Sequence, residues 1–148
     1  MTTIQVMKPS DITLVAKMAQ ELFKENDFAA LKKEFECLSG SKKDTILVAK
    51  ENKGTAGFIH MSLRYEYVEG ATSTPVAYIE GIYVKPDYRQ RHIAHKLISA
   101  GEGWAKSKGC TQIASDVELY NTIGQKVHQK TGFKEVNRLV CYVKSIEL

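Results

Sequence analysis

The stretch Val76–Ala94 reads Val-Ala-Tyr-Ile-Glu-Gly-Ile-Tyr-Val-Lys-Pro-Asp-Tyr-Arg-Gln-Arg-His-Ile-Ala and constrains the fold more than any other part of the chain. A mostly apolar run, Val76–Val84, is ended by Pro86 and followed by a short basic loop. Apolar residues then recur at helical spacing over Ile93–Lys108, with Ile93, Ala94, Leu97, Ile98, Gly101 and Trp104 facing inward. A short strand-like segment, Gln112–Asp116, comes next. Strand, crossover helix and parallel strand in this order imply a mixed sheet with helices on both faces. The loop and helix start also make an anion site, because backbone N–H groups and a helix N-terminus face a ligand arriving beyond the strand end. Glu80 sits inside the apolar run, within one ligand's length of that site, which points to a group-transfer enzyme.

The remaining segments fill out the sheet and its cover. Thr3–Val6 alternates like a strand, and Pro9-Ser10-Asp11 opens a helix with Ser10 as its N-cap. Ile12, Val15, Met18, Ala19, Leu22 and Phe23 share one face of that helix, and Ala29–Cys37 reads as a second. Thr45–Ala49 and Ala56–Tyr65 are strand-like, with Asn52-Lys53-Gly54 as the hairpin turn between them. Asn121–Lys130 is a short helix closed by Gly132 as a left-handed cap, and a last strand is expected at Leu139–Val143. The order is β-α-α-β-β-β-α-β-α-β, with no repeat and no linker, so residues 1–148 are expected to form one domain.

Bulk properties exclude several classes. A net charge of +4 without basic runs argues against a nucleic-acid partner. No window approaches the roughly 20 apolar residues a membrane span needs. The Met-Thr-Thr-Ile-Gln-Val start lacks an export signal. Cys37, Cys110 and Cys141 are odd in number and lack metal-ligand spacing, so they read as free thiols in a reducing cytoplasm, with no metal site.

Arg89-Gln90-Arg91-His92-Ile93-Ala94 follows the pyrophosphate-loop pattern Arg/Gln-x-x-Gly-x-Gly/Ala, with His92 in place of the first Gly. On this loop the chain resembles the GCN5-related N-acetyltransferase superfamily. Within it, the chain is similar to the bacterial aminoglycoside 6'-N-acetyltransferases through Tyr67-Val68-Glu69-Gly70, Ser73-Thr74-Pro75-Val76, Glu80-Gly81-Ile82-Tyr83-Val84, Ala114-Ser115-Asp116 and the segment Gln125–Phe133. The likeness runs from Met61 to Tyr142; the first 60 residues match in layout.

The resemblance implies an α/β fold with a mixed sheet splayed between its fourth and fifth strands, and acetyl-CoA lying in that V. The pantetheine arm would pair with the backbone of Ile82, Tyr83 and Val84 like an added strand. A bulge near Glu80-Gly81 would open the V. The diphosphate would rest on the loop Arg89, Gln90, Arg91, His92, Ile93, Ala94 and His95. His92 departs from the pattern, and its imidazole is expected to point outward from a helix N1-type conformation, which does not need Gly.

The resemblance also assigns roles. Glu80 is the active-site acid, suited to binding an alkyl ammonium and taking its proton directly or through water; a strand-end acid paired to a nearby Lys or Arg is the plainer reading. Asp116 contacts the acceptor amine, or caps the helix ahead of Asn121. Phe23 and Tyr67 line the acceptor pocket, or are plain core. Asn137 stands where an acid commonly contacts the acceptor, and so removes one carboxylate from that site. Acids such as Glu66, Glu69 and Glu118 could make the acceptor cleft negative. Asn121 donates to the pantetheine or orients its helix. His128 lies near the CoA sulfur, with packing or hydrogen bonding as the leading role.

The implied activity is direct acetyl transfer from acetyl-CoA to the 6'-amino group of an aminoglycoside, without an acetyl-enzyme and without a metal, and hence antibiotic resistance. The resemblance further implies a homodimer pairing or exchanging C-terminal strands through Leu139, Val140, Tyr142 and Val143. Another small amine as acceptor, or a CoA-binding module without catalysis, are the alternatives.

Overall fold

The computed structural model describes residues 1–52 and 54–148; Lys53 of the expected hairpin turn lies outside the described residues. Alternating and apolar runs become five strands: β1 (Thr3–Val6), β2 (Asp44–Glu51), β3 (Gly54–Arg64), β4 (Val76–Val84) and β5 (Ile113–Ser115). Four α-helices join them: α1 (Ile12–Leu22), α2 (Phe28–Leu38), α3 (Ile93–Ser107) and α4 (Thr122–Lys130). The sheet order is β1-β2-β3-β4-β5, so β4 is one strand in from the edge. The first four strands are antiparallel neighbours, and β5 runs parallel to β4 after the α3 crossover.

Apolar faces decide which helix lies where. Ile93, Leu97 and Ile98 of α3 bury against Ile59 and Met61 of β3 and Ala77 and Ile79 of β4. On the opposite face, Val15 and Ala19 of α1 and Leu31 and Phe35 of α2 bury against Ile46, Val48 and Phe58. Helices thus cover both faces, as the crossover order requires. Local chemistry ends several elements. Asp27 caps α2 through the Ala30 N–H at 3.4 Å, and Asn121 caps α4 through the Gly124 N–H at 2.8 Å. Gly132 follows α4 at φ +95°, the left-handed stop expected of it.

Two expectations need correction. Ser10 is not the cap of α1; the turn Pro9–Asp11 precedes it, and the Asp11 carboxylate accepts from the Lys8 N–H at 2.8 Å. Leu139–Val143 is not a strand: no secondary structure follows α4, and Leu139, Val140, Tyr142 and Val143 are all exposed. A strand needs a ladder partner, and this tail finds none within the described residues of its own chain.

The strand carrying the site is irregular where the site begins. Met61 pairs with Ile79 but His60 pairs with Gly81, so Glu80 is an extra residue in β4 with no partner of its own. Ile79 and Ile82 both pack with the α3 core although three positions apart, which strict alternation forbids. The bulge absorbs that extra position.

Candidate active site

The β4–β5 pairing is short. It joins Ala77, Tyr78 and Ile79 to Ile113, Ala114 and Ser115 and stops there. Beyond the bulge, Ile82, Tyr83 and Val84 pair with β3 on one side only. Their other edge has no strand, and every residue from Glu80 to Val84 is only partly buried despite its interior position. The sheet is therefore splayed between its fourth and fifth strands. The exposed edge offers backbone donors and acceptors to an extended ligand arm.

Two carboxylates stand at the root of this opening. Arg64, at the end of β3, forks onto Glu80, with Nε to Oε2 at 2.9 Å and Nη2 to Oε1 at 2.8 Å. The Ser62 hydroxyl donates to Glu80 Oε2 as well. Partial burial works to raise the Glu80 carboxyl; the Arg64 and Ser62 bonds and the charges of Arg64 and His60 outweigh it and hold the carboxyl below its usual range. The paired-acid reading of Glu80 is thus correct as geometry, and its side chain stays 28% exposed. Asp116, just past β5, accepts from the Tyr78 hydroxyl. Burial first, and then the bond to Asp116 and its charge, push the Tyr78 phenol far above its ordinary range, so it stays a donor. The Arg64 Cζ lies over the Tyr78 ring, 3.4 Å from its centroid. Glu80, Arg64, Tyr78 and Asp116 form one continuous array.

Past β4, the turn Pro86–Tyr88 leads into the basic loop, where the Arg89 Nε donates to the Val84 carbonyl at 2.8 Å. The first backbone bond of α3 runs from the Lys96 N–H to the His92 carbonyl at 3.1 Å. The N–H groups of Ile93, Ala94 and His95 therefore lack intrahelical acceptors, and the N-cap side chain satisfies none of them. Gln90 and His92 both sit in the left-handed region, at φ +64° and +61°. His92 is exposed, as expected, but its conformation is a correction: it is the left-handed N-cap of α3, not an N1-type residue. This is a backbone position that favours Gly, so the Gly of the loop pattern has a conformational reason here.

The other expected site residues divide by location. A Cβ on Gly81 would lie 3.2 Å from Phe23 Cζ, which puts Phe23 beside the bulge. Tyr67 is 81% exposed on the β3–β4 loop, so it is not core. Its hydroxyl donates to Glu69 Oε2 at 3.0 Å, and the Asn137 amide donates to Glu69 Oε1 at 2.6 Å. The position that lost an acid thus holds a neighbouring one. Asn121 orients α4 as its cap, which leaves Asp116 without that task. His128 contacts the Gly124 carbonyl through Nδ1 at 2.7 Å and the Ser115 hydroxyl through Nε2 at 2.8 Å. The carbonyl can only accept, so Nδ1 carries the proton and the imidazole ties α4 to the end of β5. Its ring also meets Phe133 edge-on at 5.0 Å.

Sequence reasoning missed Ser62, Arg64 and Tyr78. A signal was available: Tyr78 and Glu80 share a strand face at a spacing of two, and Ser62 and Arg64 do the same on the strand beside it. Among the described residues no group of side chains could hold a metal ion.

An unpaired strand edge running from two acids to an N–H-rich helix start defines an acyl-transfer type of site. The family model for the acetyltransferase (GNAT) family matches residues 13–133, and the chain belongs to that family. It is 49% identical over 88 residues to an aminoglycoside N(6')-acetyltransferase type 1 of Salmonella typhimurium, a match spanning 60% of this chain and only 61% of that relative. It is 39% identical over 125 residues to the enzyme of the same name from Acinetobacter genomosp. 13, covering 84% and 86%. Among solved structures it resembles AAC(6')-Iy in complex with the bisubstrate analog CoA-S-monomethyl-acetylneamine, with a TM-score of 0.93, 34% identity and 99% of both chains covered.

Proposed function

We propose that the chain is an acetyl-CoA-dependent N-acetyltransferase that acetylates the 6'-amino group of aminoglycoside antibiotics by direct transfer, which confers resistance to them. The observation that carries this reading is the free edge of β4, which starts at Glu80 and Asp116 and ends at the loop before α3. Similarity to relatives named for this activity, and to a structure holding a CoA–aminoglycoside analog, supports the donor and the acceptor class.

The residues fit acetyl-CoA. The backbone of Ile82, Tyr83 and Val84 would receive its arm, and the N–H groups from Gln90 to His95, with Arg89 and Arg91 beside them, would receive its diphosphate. These donors are held by the backbone before binding, so little ordering cost remains. The bound co-substrate supplies an activated acetyl thioester. Glu80 and Asp116 would draw in the acceptor's ammonium and orient it. An alkyl ammonium must shed a proton before it can attack. Held ionised and weakly basic by Arg64, Glu80 would pass that proton on to water. Free N–H groups of β4 would polarise the acetyl carbonyl, and alignment of both substrates in one cleft supplies much of the rate. Phe23, Tyr67 and Asn137 would line the acceptor side, the last two by holding Glu69. Asn121 and His128 would fix α4 beside the arm. No thiol intermediate is involved: Cys110 is packed in the α3 core, where burial pushes its thiol up, while Cys37 and Cys141 lie on α2 and the C-terminal tail.

A second copy of the chain is the partner that would cover the exposed Leu139–Val143 segment, giving a homodimer. Three free cysteines suit a reducing cytoplasm, and among the described residues no helix is long and apolar enough to cross a membrane.

Thiol release from acetyl-CoA tests the reading with kanamycin, tobramycin, a 6'-hydroxyl aminoglycoside, spermidine and no acceptor. Fast release with the 6'-amino compounds alone is the expected result. Release only with spermidine would move the acceptor to another amine class, and CoA binding without release would refute catalysis.

A further inference from the structure

The array around Glu80 contains a cation where a polycationic acceptor is expected to bind. An unpaired guanidinium there would repel the acceptor, yet Arg64 is paired with Glu80. Its fork meets both oxygens of Glu80 at 2.9 and 2.8 Å, and its Cζ lies over the Tyr78 ring at 3.4 Å. Such two-point bonding fixes the carboxylate rotamer in a way a lysine ammonium cannot. Stacking on Tyr78 then ties that rotamer to the residue whose hydroxyl holds Asp116.

We propose that Arg64 is a positioning residue for acetyl transfer: by forking Glu80 and stacking on Tyr78, it presents Glu80 and Asp116 to the acceptor amine as one preformed pair. This rests on the acetyltransferase reading above. Arg64 touches neither substrate and acts through the two acids. Its charge is paired with that of Glu80, while Asp116, hydrogen-bonded to the neutral Tyr78, feels Arg64 only through space and so keeps more of its attraction for the ammonium. Glu80 contributes geometry and hydrogen-bond acceptance more than net charge. The other titratable groups facing Glu80 are His60 on β3, itself bonded to Asp44 of β2 at 2.9 Å, and Tyr78 and Asp116 on the opposite side. Since the His60 ring also acts on Glu80, the variant must be read against a His60 control.

The experiment compares the parent with Arg64→Gln, Arg64→Lys and His60→Gln in two readouts. The first is carbon-detected NMR titration of the Glu80 carboxyl in glutamate-labelled protein, which needs no turnover. Arg64→Gln is expected to move the Glu80 titration upward more than His60→Gln does. The second readout is the pH profile of kcat/KM for kanamycin. Arg64→Gln should lose about 100-fold, mainly in kcat, and shift its acidic limb upward, since misplaced catalytic groups cost on that order. Arg64→Lys should restore the limb but recover only part of kcat, because it returns charge without the fork. An unmoved carboxyl titration in folded Arg64→Gln overturns the proposal. So does a variant that merely melts earlier while keeping the parent's profile and kcat. A parent without kanamycin turnover would refute the acetyltransferase reading and with it the catalytic role, while the NMR titration would still judge the pairing.

Discussion

Gly57 and Gly103 make a pair of opposite predictions from one physical argument. Gly57 lies in β3 opposite Val84, and a Cβ built there would sit 2.3 Å from the Tyr83 carbonyl oxygen and 3.1 Å from Val84 Cα. The obstacle is backbone, so no rotamer change relieves it, and β3 and β4 must part locally by about 1 Å to reach ordinary contact. Overpacking of this kind costs about 3 kcal/mol, the upper end of the usual range, because a ladder and not a side chain has to move. For a chain of this size Gly57→Ala should lower Tm by about 6–12 °C. The displaced segment is also the edge proposed to receive the pantetheine arm, so KM for acetyl-CoA should rise more than KM for the acceptor. Gly103 faces open space on exposed α3, with nothing within 4 Å of an added Cβ. Gly103→Ala removes only the helix cost of glycine and should add about 0.5–1 kcal/mol, raising Tm by roughly 1–4 °C. Thermal melts and steady-state kinetics of both variants test this. A Gly57→Ala protein within about 0.5 kcal/mol of the parent would refute the close approach of the two strands.

Asp11 gives a pH prediction. Burial favours its neutral form, but the Lys50 ion pair and the Lys8 N–H outweigh this and leave its pKa lowered. Stability from a lowered carboxyl is present above the unfolded pKa of about 3.9 and is lost as pH falls through the folded value. Lys50 is 28% exposed and can be solvated, so Asp11→Asn should cost about 2 kcal/mol at pH 7, as for a charge-assisted hydrogen bond, and should flatten the acid side of a denaturant-midpoint profile. His92→Gly should relieve the left-handed strain at φ +61°, worth about 1 kcal/mol, and tighten CoA binding by calorimetry; weaker binding would mean the imidazole contacts the donor. Removal of residues 139–148 should convert a dimer to a monomer by light scattering while leaving the melt of the remaining fold largely unchanged. A parent that is already monomeric would refute the dimer.

The parts of the fold legible in the sequence are those set by local patterns. The apolar run of β4, the helical spacing of α3 and the strand after it specified the parallel crossover. The positive-charge loop was readable because it breaks a local regularity, whereas the bulge near Glu80 and Gly81 was implied by the family resemblance. Strand alternation places Arg64 on one face with Ser62 but does not name its partner, which lies 16 positions away and depends on strand register. Likewise Tyr78 looks like core until its hydroxyl is seen on Asp116. Leu139–Val143 misled for a related reason. Its composition suits a strand, but composition cannot say which edge, or whose, completes the ladder.

The bulge at Glu80 has a consequence for how the site can vary. Upstream of it, the residues of β4 facing α3 are Ala77 and Ile79; downstream they are Ile82 and Val84. The strand is thus read in two frames, and the proposed active-site acid is the very residue that joins them. Substituting Glu80 changes the chemistry and leaves the architecture standing. Deleting it merges the two frames into one regular alternation, which keeps Ile82 and Val84 facing α3 but removes the kink beside which β5 departs. The acid and the opening it serves are therefore one inherited unit, lost together by a three-nucleotide deletion but separable by substitution.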